Sequence, residues 1–135
     1  MKSAGANIAG IRGAAVNGRI SIVDDDASIR EALRSLMRSV QLNADTFGSA
    51  EEFLASERAN DTACLILDLY LPGMNGFELQ SHLNEAGHRI PIIFITAHAD
   101  DASREKALKA GAVELLSKPV RREPLFQAIR SAIGK

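Results

Sequence analysis

Ile20-Ser21-Ile22-Val23-Asp24-Asp25-Asp26 decides how this chain is read: a short aliphatic run stops abruptly in three consecutive carboxylates. The run suits a strand covered on both faces, because nearly every position is β-branched or aliphatic. Two more runs of the same kind follow, Cys64-Leu65-Ile66-Leu67 and Ile92-Ile93-Phe94-Ile95. Weaker runs, Asn43-Ala44-Asp45-Thr46-Phe47 and Val113-Glu114-Leu115-Leu116-Ser117, alternate more and suit places nearer the edges of a sheet. The pattern predicts five strands.

Amphipathic stretches separate them. Ile29, Leu33, Leu36, Met37 and Val40 fall at helical spacing, with Asp26 available to cap a helix starting near Ala27. Ser49-Ala50-Glu51-Glu52 offers an N-cap hydroxyl with a carboxylate three residues on, the form of a capping box. Further helices are predicted from about Gly76 to Glu85, ended by Gly87, and from about Asp101 to Ala110, ended by Gly111. The last runs from about Glu123 to Ile133 with Pro124 in its first turn. Five βα units in succession imply an α/β fold around a parallel sheet.

Before Arg19 the character changes. Residues 1–18 hold Gly5, Gly10, Gly13 and Gly18 among Ala and Asn, with Lys2 and Arg12 as their charges, and read as a flexible leader. The folded unit is expected over residues 19–134. A length of 135 residues, 46% hydrophobic and 24% charged, fits one globular domain and leaves no room for a second. Sixteen Lys and Arg against 17 Asp and Glu give a formal charge of −1, so no positive field exists to hold a polyanion, and direct nucleic-acid binding by this domain is not expected. No apolar run approaches the roughly 20 residues of a membrane span. Gly5 and Asn7 break the apolar core that a secretory signal requires. A cytoplasmic address without a membrane partner is the expectation. The single cysteine, Cys64, excludes an internal disulfide and any multi-thiolate zinc site, and its apolar run makes it a small core hydrophobe.

In open parallel α/β sheets ligands bind outside the carboxyl ends of the strands. Strand one ends in Asp24-Asp25-Asp26, strand three in Asp68, strand four in Thr96 and strand five in Lys118-Pro119. Carboxylates gathered at one edge repel one another by several kcal/mol unless a cation or protons compensate. A hard divalent cation, magnesium, suits Asp24, Asp25 and Asp68. A carboxylate can also attack phosphorus to give an acyl phosphate, and Asp68 is central, since strand three is flanked by strands one and four. The metal and the Lys118 ammonium would each neutralise a phosphoryl oxygen, and the Thr96 hydroxyl could donate to a third. Taken singly, each residue has an ordinary alternative: a strand-end Asp is often a helix cap, and a lysine is usually solvated.

Together these residues resemble the receiver domain of two-component response regulators. The resemblance rests on Ile22-Val23-Asp24-Asp25-Asp26, on Leu67-Asp68-Leu69-Tyr70-Leu71-Pro72-Gly73-Met74-Asn75-Gly76, on Ile95-Thr96-Ala97-His98 and on Lys118-Pro119, and it covers about Arg19 to Ile133. The Asp68 to Gly76 loop and Ala110-Gly111-Ala112 look closest to the branch that carries helix-turn-helix output domains of the LuxR/FixJ type. The resemblance implies a flavodoxin-like sheet in the order 2-1-3-4-5. It also implies phosphorylation of Asp68 by a sensor histidine kinase or a small phosphodonor. Mg2+ would sit at Asp24, Asp25, Asp68 and the backbone carbonyl of Tyr70, Thr96 and Lys118 would contact the phosphoryl group, and the Lys118–Pro119 bond would be cis.

Three positions depart from the usual pattern: Leu115 stands where an aromatic switch residue is normal, Val120 where Phe is frequent, and Tyr70 where smaller or more polar side chains are common. Leu115 can pack but cannot stack or hydrogen-bond, so the expected response passes through the loop after Thr96 and helix four. Arg104, Glu105, Lys106, Lys109, Arg121 and Arg122 carry charges of both signs that suit a phosphorylation-dependent homodimer, or simply a solvated surface. The implied role is a signalling module rather than an enzyme, with transcription as the controlled output. Two other readings share parts of the pattern. An aspartyl-phosphate phosphatase wants a second acid where Tyr70 stands, and a flavin or nucleotide module wants a Gly-rich turn where Asp24-Asp25-Asp26 would repel phosphate. An end at Lys135 leaves open a single-domain regulator or an output domain beyond it.

Overall fold

β1 (Arg19–Val23) is an inner strand of a five-stranded parallel sheet, with β2 (Ala44–Phe47) on one side and the central β3 (Thr62–Asp68) on the other. β4 (Ile92–Thr96) and β5 (Glu114–Ser117) follow, giving the order β2-β1-β3-β4-β5. The connections are α1 (Ala27–Ser39), α2 (Ala50–Ala55), α3 (Gly76–Glu85) and α4 (Asp101–Lys109), and α5 (Arg122–Ile133) follows β5. This is the predicted flavodoxin-like arrangement. The computed structural model describes residues 19–133, so the leader expected over residues 1–18 and the last residue of the expected unit lie outside the described residues.

The period of two along each strand divides the apolar side chains between two layers. Ile20, Ile22, Cys64, Ile66, Ile93 and Ile95 pack on the face covered by α1 and α5, with Leu33, Met37, Leu125, Phe126 and Ile129. Val23, Leu65, Leu67, Phe94 and Leu115 pack on the other face with Phe53 of α2, Leu79 and Leu83 of α3 and Ala107 of α4. Burial on both faces is why the central strands read as near-continuous apolar runs. Each fully buried aliphatic side chain contributes about 1.5–3 kcal/mol.

Local differences from the sequence reading have physical causes. β3 begins at Thr62, before its apolar run, because the Thr62 hydroxyl finds one partner in β1 and one in the turn that precedes β3. It donates to the Arg58 carbonyl at 2.6 Å and so accepts from Ser21 Oγ at 2.7 Å. A 3-10 turn over Arg58–Asp61, not anticipated from the sequence, supplies that carbonyl. Asp26 caps α1, accepting from the Ser28 and Ile29 amides at 2.8 and 3.4 Å. Ser49 caps α2, but the Glu52 carboxylate accepts from the Gly48 amide at 2.6 Å, one residue before the cap, so the predicted capping box is not closed. The closed box occurs at α3, between Asn75 and Glu78.

Candidate functional site

The carboxyl ends of β1, β3, β4 and β5 bring the acids and the lysine to one edge. Asp24 follows β1 and is fully buried; its Oδ1 accepts from the Asp26 amide at 2.8 Å. Asp68 closes β3, also buried; its Oδ1 accepts from the Tyr70 amide at 3.2 Å and its Oδ2 from Lys118 Nζ at 3.2 Å. Lys118 Nζ also stands 2.9 Å from Asp24 Oδ2. That contact is an ion pair off the line of a hydrogen bond, and Asp24 Oδ2 is left as a buried oxygen without a hydrogen-bonded partner. Asp25 is exposed, yet one carboxylate oxygen from each of Asp24, Asp25 and Asp68 lies within 4.8 Å of the others.

The electrostatics follow from this crowding. Burial raises the Asp68 pKa above its ordinary value, the Asp24 charge raises it further, and the Lys118 ammonium and the Tyr70 amide offset part of both. At Lys118 burial works against the charged form, but the close contacts with the Asp24 and Asp68 carboxylates outweigh it, so its pKa rises. Three carboxylates against one ammonium leave negative charge in excess, which, with the orphaned Asp24 Oδ2, fits a hard divalent cation.

Thr96 closes β4, buried, with Oγ1 accepting from the His98 amide at 3.1 Å. Its carbonyl accepts from the Lys118 amide at 2.8 Å, which ties the two strand ends together, and the Lys118–Pro119 bond is cis. Leu115 is only 2% exposed and lies beside Phe94 across the β4–β5 pair. Tyr70 is 55% exposed, the most open large apolar side chain among the described residues.

Three residues that support the site were given no part in it by the sequence reading. Arg30 Nη1 donates to the Asp24 carbonyl at 2.8 Å, a contact that its position one turn into α1 could have suggested. Gly76 lets α3 start against β3: a Cβ there would meet the Asp68 carbonyl oxygen at 2.7 Å and Leu69 Cα at 2.9 Å. Glu51 accepts from the Met74 amide, a contact between distant segments with no local signal. On α4 the charges expected to face a second copy have partners within the chain. Arg104 pairs with Glu114 at 2.7 Å and reaches the Leu115 carbonyl at 3.3 Å, Lys109 pairs with Glu105, and Lys106 lies 4.2 Å from the centre of the Phe77 ring.

Comparison with known proteins agrees with this geometry. The response regulator receiver domain family matches residues 20–130. Response regulator protein TodT of Pseudomonas putida is 47% identical over 114 residues, 84% of this chain and 50% of that protein. Transcriptional regulatory protein FixJ of Azorhizobium caulinodans is 33% identical over 116 residues, 86% of this chain and 55% of that protein. The chain thus spans about half the length of the curated relatives it matches. Among solved structures, response regulator StyR superposes with a TM-score of 0.80 at 43% identity, covering 87% of this chain and 60% of that one. With a matching family over nearly all the described residues, the expected fold and an acidic cluster at the strand ends, the chain belongs to the response regulator receiver domains.

Proposed function

We propose that the chain is the phosphoacceptor receiver of a two-component phosphorelay, taking a phosphoryl group on Asp68 from a sensor histidine kinase and controlling an output, transcription. The observation that carries this reading is one ammonium, Lys118, shared between two buried carboxylates, Asp24 and Asp68, at the carboxyl edge of the sheet. In the transfer an Asp68 oxygen forms the new P–O bond as the P–N bond to the donor imidazole breaks, and that bond's electron pair leaves on the imidazole nitrogen. Asp24, Asp25, Asp68 and the Tyr70 carbonyl would hold Mg2+, which supplies charge neutralisation at the phosphoryl oxygens. Lys118 neutralises another of those oxygens and the Thr96 hydroxyl donates to a third. Because the chain modifies its own carboxylate, its role is that of a switch rather than an enzyme acting on a separate substrate.

Residues 19–134 form the receiver unit in this reading, with 1–18 as a leader and a cytoplasmic location on the kinase's side. No helix among the described residues is long and apolar enough to cross a membrane. The output face is α4, β5 and α5. Leu115 is already buried and has no ring to swing, so movement of α4 carries the change, and the Arg104 contacts to Glu114 and the Leu115 carbonyl must rearrange with it. A homodimer on this face would form only after that exchange of partners. A beryllofluoride-treated chain that sediments as a monomer at low salt rules it out.

The test is incubation with acetyl phosphate and Mg2+. One acid-stable, hydroxylamine-labile phosphate per chain is expected, with none on a folded Asp68→Asn variant. Undiminished labelling of that variant overturns the assignment of Asp68.

A further inference from the structure

The segment from Leu69 to Asn75 joins β3 to α3 and contains Tyr70, whose carbonyl is a metal ligand in the reading above. A backbone carbonyl has no rotamer of its own, so its oxygen sits wherever the loop's dihedral angles put it. The ends of the loop are tied internally: the Tyr70 amide donates to Asp68 Oδ1 at 3.2 Å, and the Gly76 amide to the Leu69 carbonyl at 2.9 Å. The middle is held from outside. The Met74 amide donates to Glu51 Oε2 at 2.8 Å, reaching across to the first turn of α2. The neighbouring Gly73 has φ +72°, and a Cβ there would stand 2.7 Å from the same oxygen, so the loop curls round this carboxylate where glycine is the fitting residue. The Met74 hydrogen bond also lowers the Glu51 pKa, as a charge-assisted contact should. At the same helix end Ser49 accepts from the Glu52 amide and the Glu52 carboxylate from the Gly48 amide, so Glu51 is the acid of that first turn that reaches the loop.

We infer that Glu51 is a positioning residue for the metal site, holding the loop through the Met74 amide so that the Tyr70 carbonyl is pre-set for the ion. The inference rests on the proposed function and deepens it. With the contact absent, binding the ion must also order the loop, and affinity falls while the metal-free fold is little changed.

The experiment is a Mg2+ titration of the chain, followed by the fluorescence of Tyr70, the single tyrosine in a chain without tryptophan, and by melting temperature. Glu51→Ala is expected to weaken Mg2+ binding about five-fold, and Glu51→Gln, which keeps an acceptor oxygen, to stay within about two-fold of the wild type. Amide exchange at Met74 should accelerate in Glu51→Ala without metal, a readout independent of binding. Equal Mg2+ affinity in Glu51→Ala and the wild type overturns the inference, as does Glu51→Gln binding as weakly as Glu51→Ala, which would mean that charge rather than the hydrogen bond acts. A wild type with no response to millimolar Mg2+ overturns the metal reading and this inference together, and that outcome is recognised by the wild type itself failing.

Discussion

Lys118 donates from Nζ to Asp68 Oδ2 across 3.2 Å, joining the residue after β5 to the end of β3. The same ammonium neutralises Asp24, so Lys118→Ala leaves two buried carboxylates facing each other. Removing one partner of a fully buried pair costs about 3–5 kcal/mol, and the 18% exposure of the Lys118 side chain reduces the expected loss to about 2 kcal/mol. Mg2+ should restore most of that loss by binding the folded state. Urea unfolding with and without Mg2+ measures both; a metal-free variant as stable as the wild type would show that the carboxylates do not strain the fold.

Gly76→Ala sets two effects against each other. At the start of α3 an alanine is favoured over glycine by about 0.5–1 kcal/mol through backbone entropy. The added Cβ, however, meets the Asp68 carbonyl oxygen at 2.7 Å and Leu69 Cα at 2.9 Å, both backbone atoms that cannot rotate away. Overpacking of this kind costs about 1–3 kcal/mol, so the clash wins and the variant should be less stable by about 1–2 kcal/mol in urea unfolding. Acetyl phosphate labelling should slow as well, because the displaced atoms belong to Asp68 and its neighbour. Unchanged stability would mean that α3 can slide without cost.

The central strands were legible because a sheet covered on both faces needs apolar residues at consecutive positions, as β4 shows with all five residues buried. Asp24, Asp68, Thr96 and Lys118 were legible because strand ends can be read from where the apolar runs stop. What stayed hidden depends on partners far apart in sequence. Thr62 joins β3 because Ser21 offers its hydroxyl, Arg104 is occupied because Glu114 lies across from it, and Glu51 reaches Met74 over a loop. None of these pairs leaves a periodic trace, and the 3-10 turn at Arg58–Asp61 has no apolar pattern to announce it.

Cys64 is fully buried on β3, and burial pushes its thiol pKa up to about 12. Because the thiolate is the reacting form, a disulfide reagent at pH 8 should modify the folded chain only through opening of the sheet. Cys64 is the single cysteine, so the rate reports one site. It should rise with urea in step with unfolding. Rapid modification of the native chain, independent of urea, would show that β3 opens locally.

Asp45 gives the fold a pH dependence away from the phosphoryl site. Its carboxylate accepts from Arg19 Nε at 2.6 Å and Nη2 at 3.1 Å, and Arg58 Nε stands 3.6 Å away. The Arg19 hydrogen bond, aided by the charges of Arg19, Arg58 and Arg34, outweighs the effect of burial and holds the Asp45 pKa below the usual value. The unfolded chain therefore takes up the proton more readily than the folded one. The stabilisation is complete above the ordinary aspartate pKa of about 4 and is lost as pH falls through the lower folded value. Side chains 34% and 26% exposed are partly screened, so the two-point contact is expected to contribute about 1 kcal/mol. Unfolding by urea should show Asp45→Asn less stable than the wild type by this amount between about pH 5 and 7, with the gap closing toward about pH 3. A gap that persists undiminished at the acid end would trace the loss to packing of the asparagine rather than to the ionised pair.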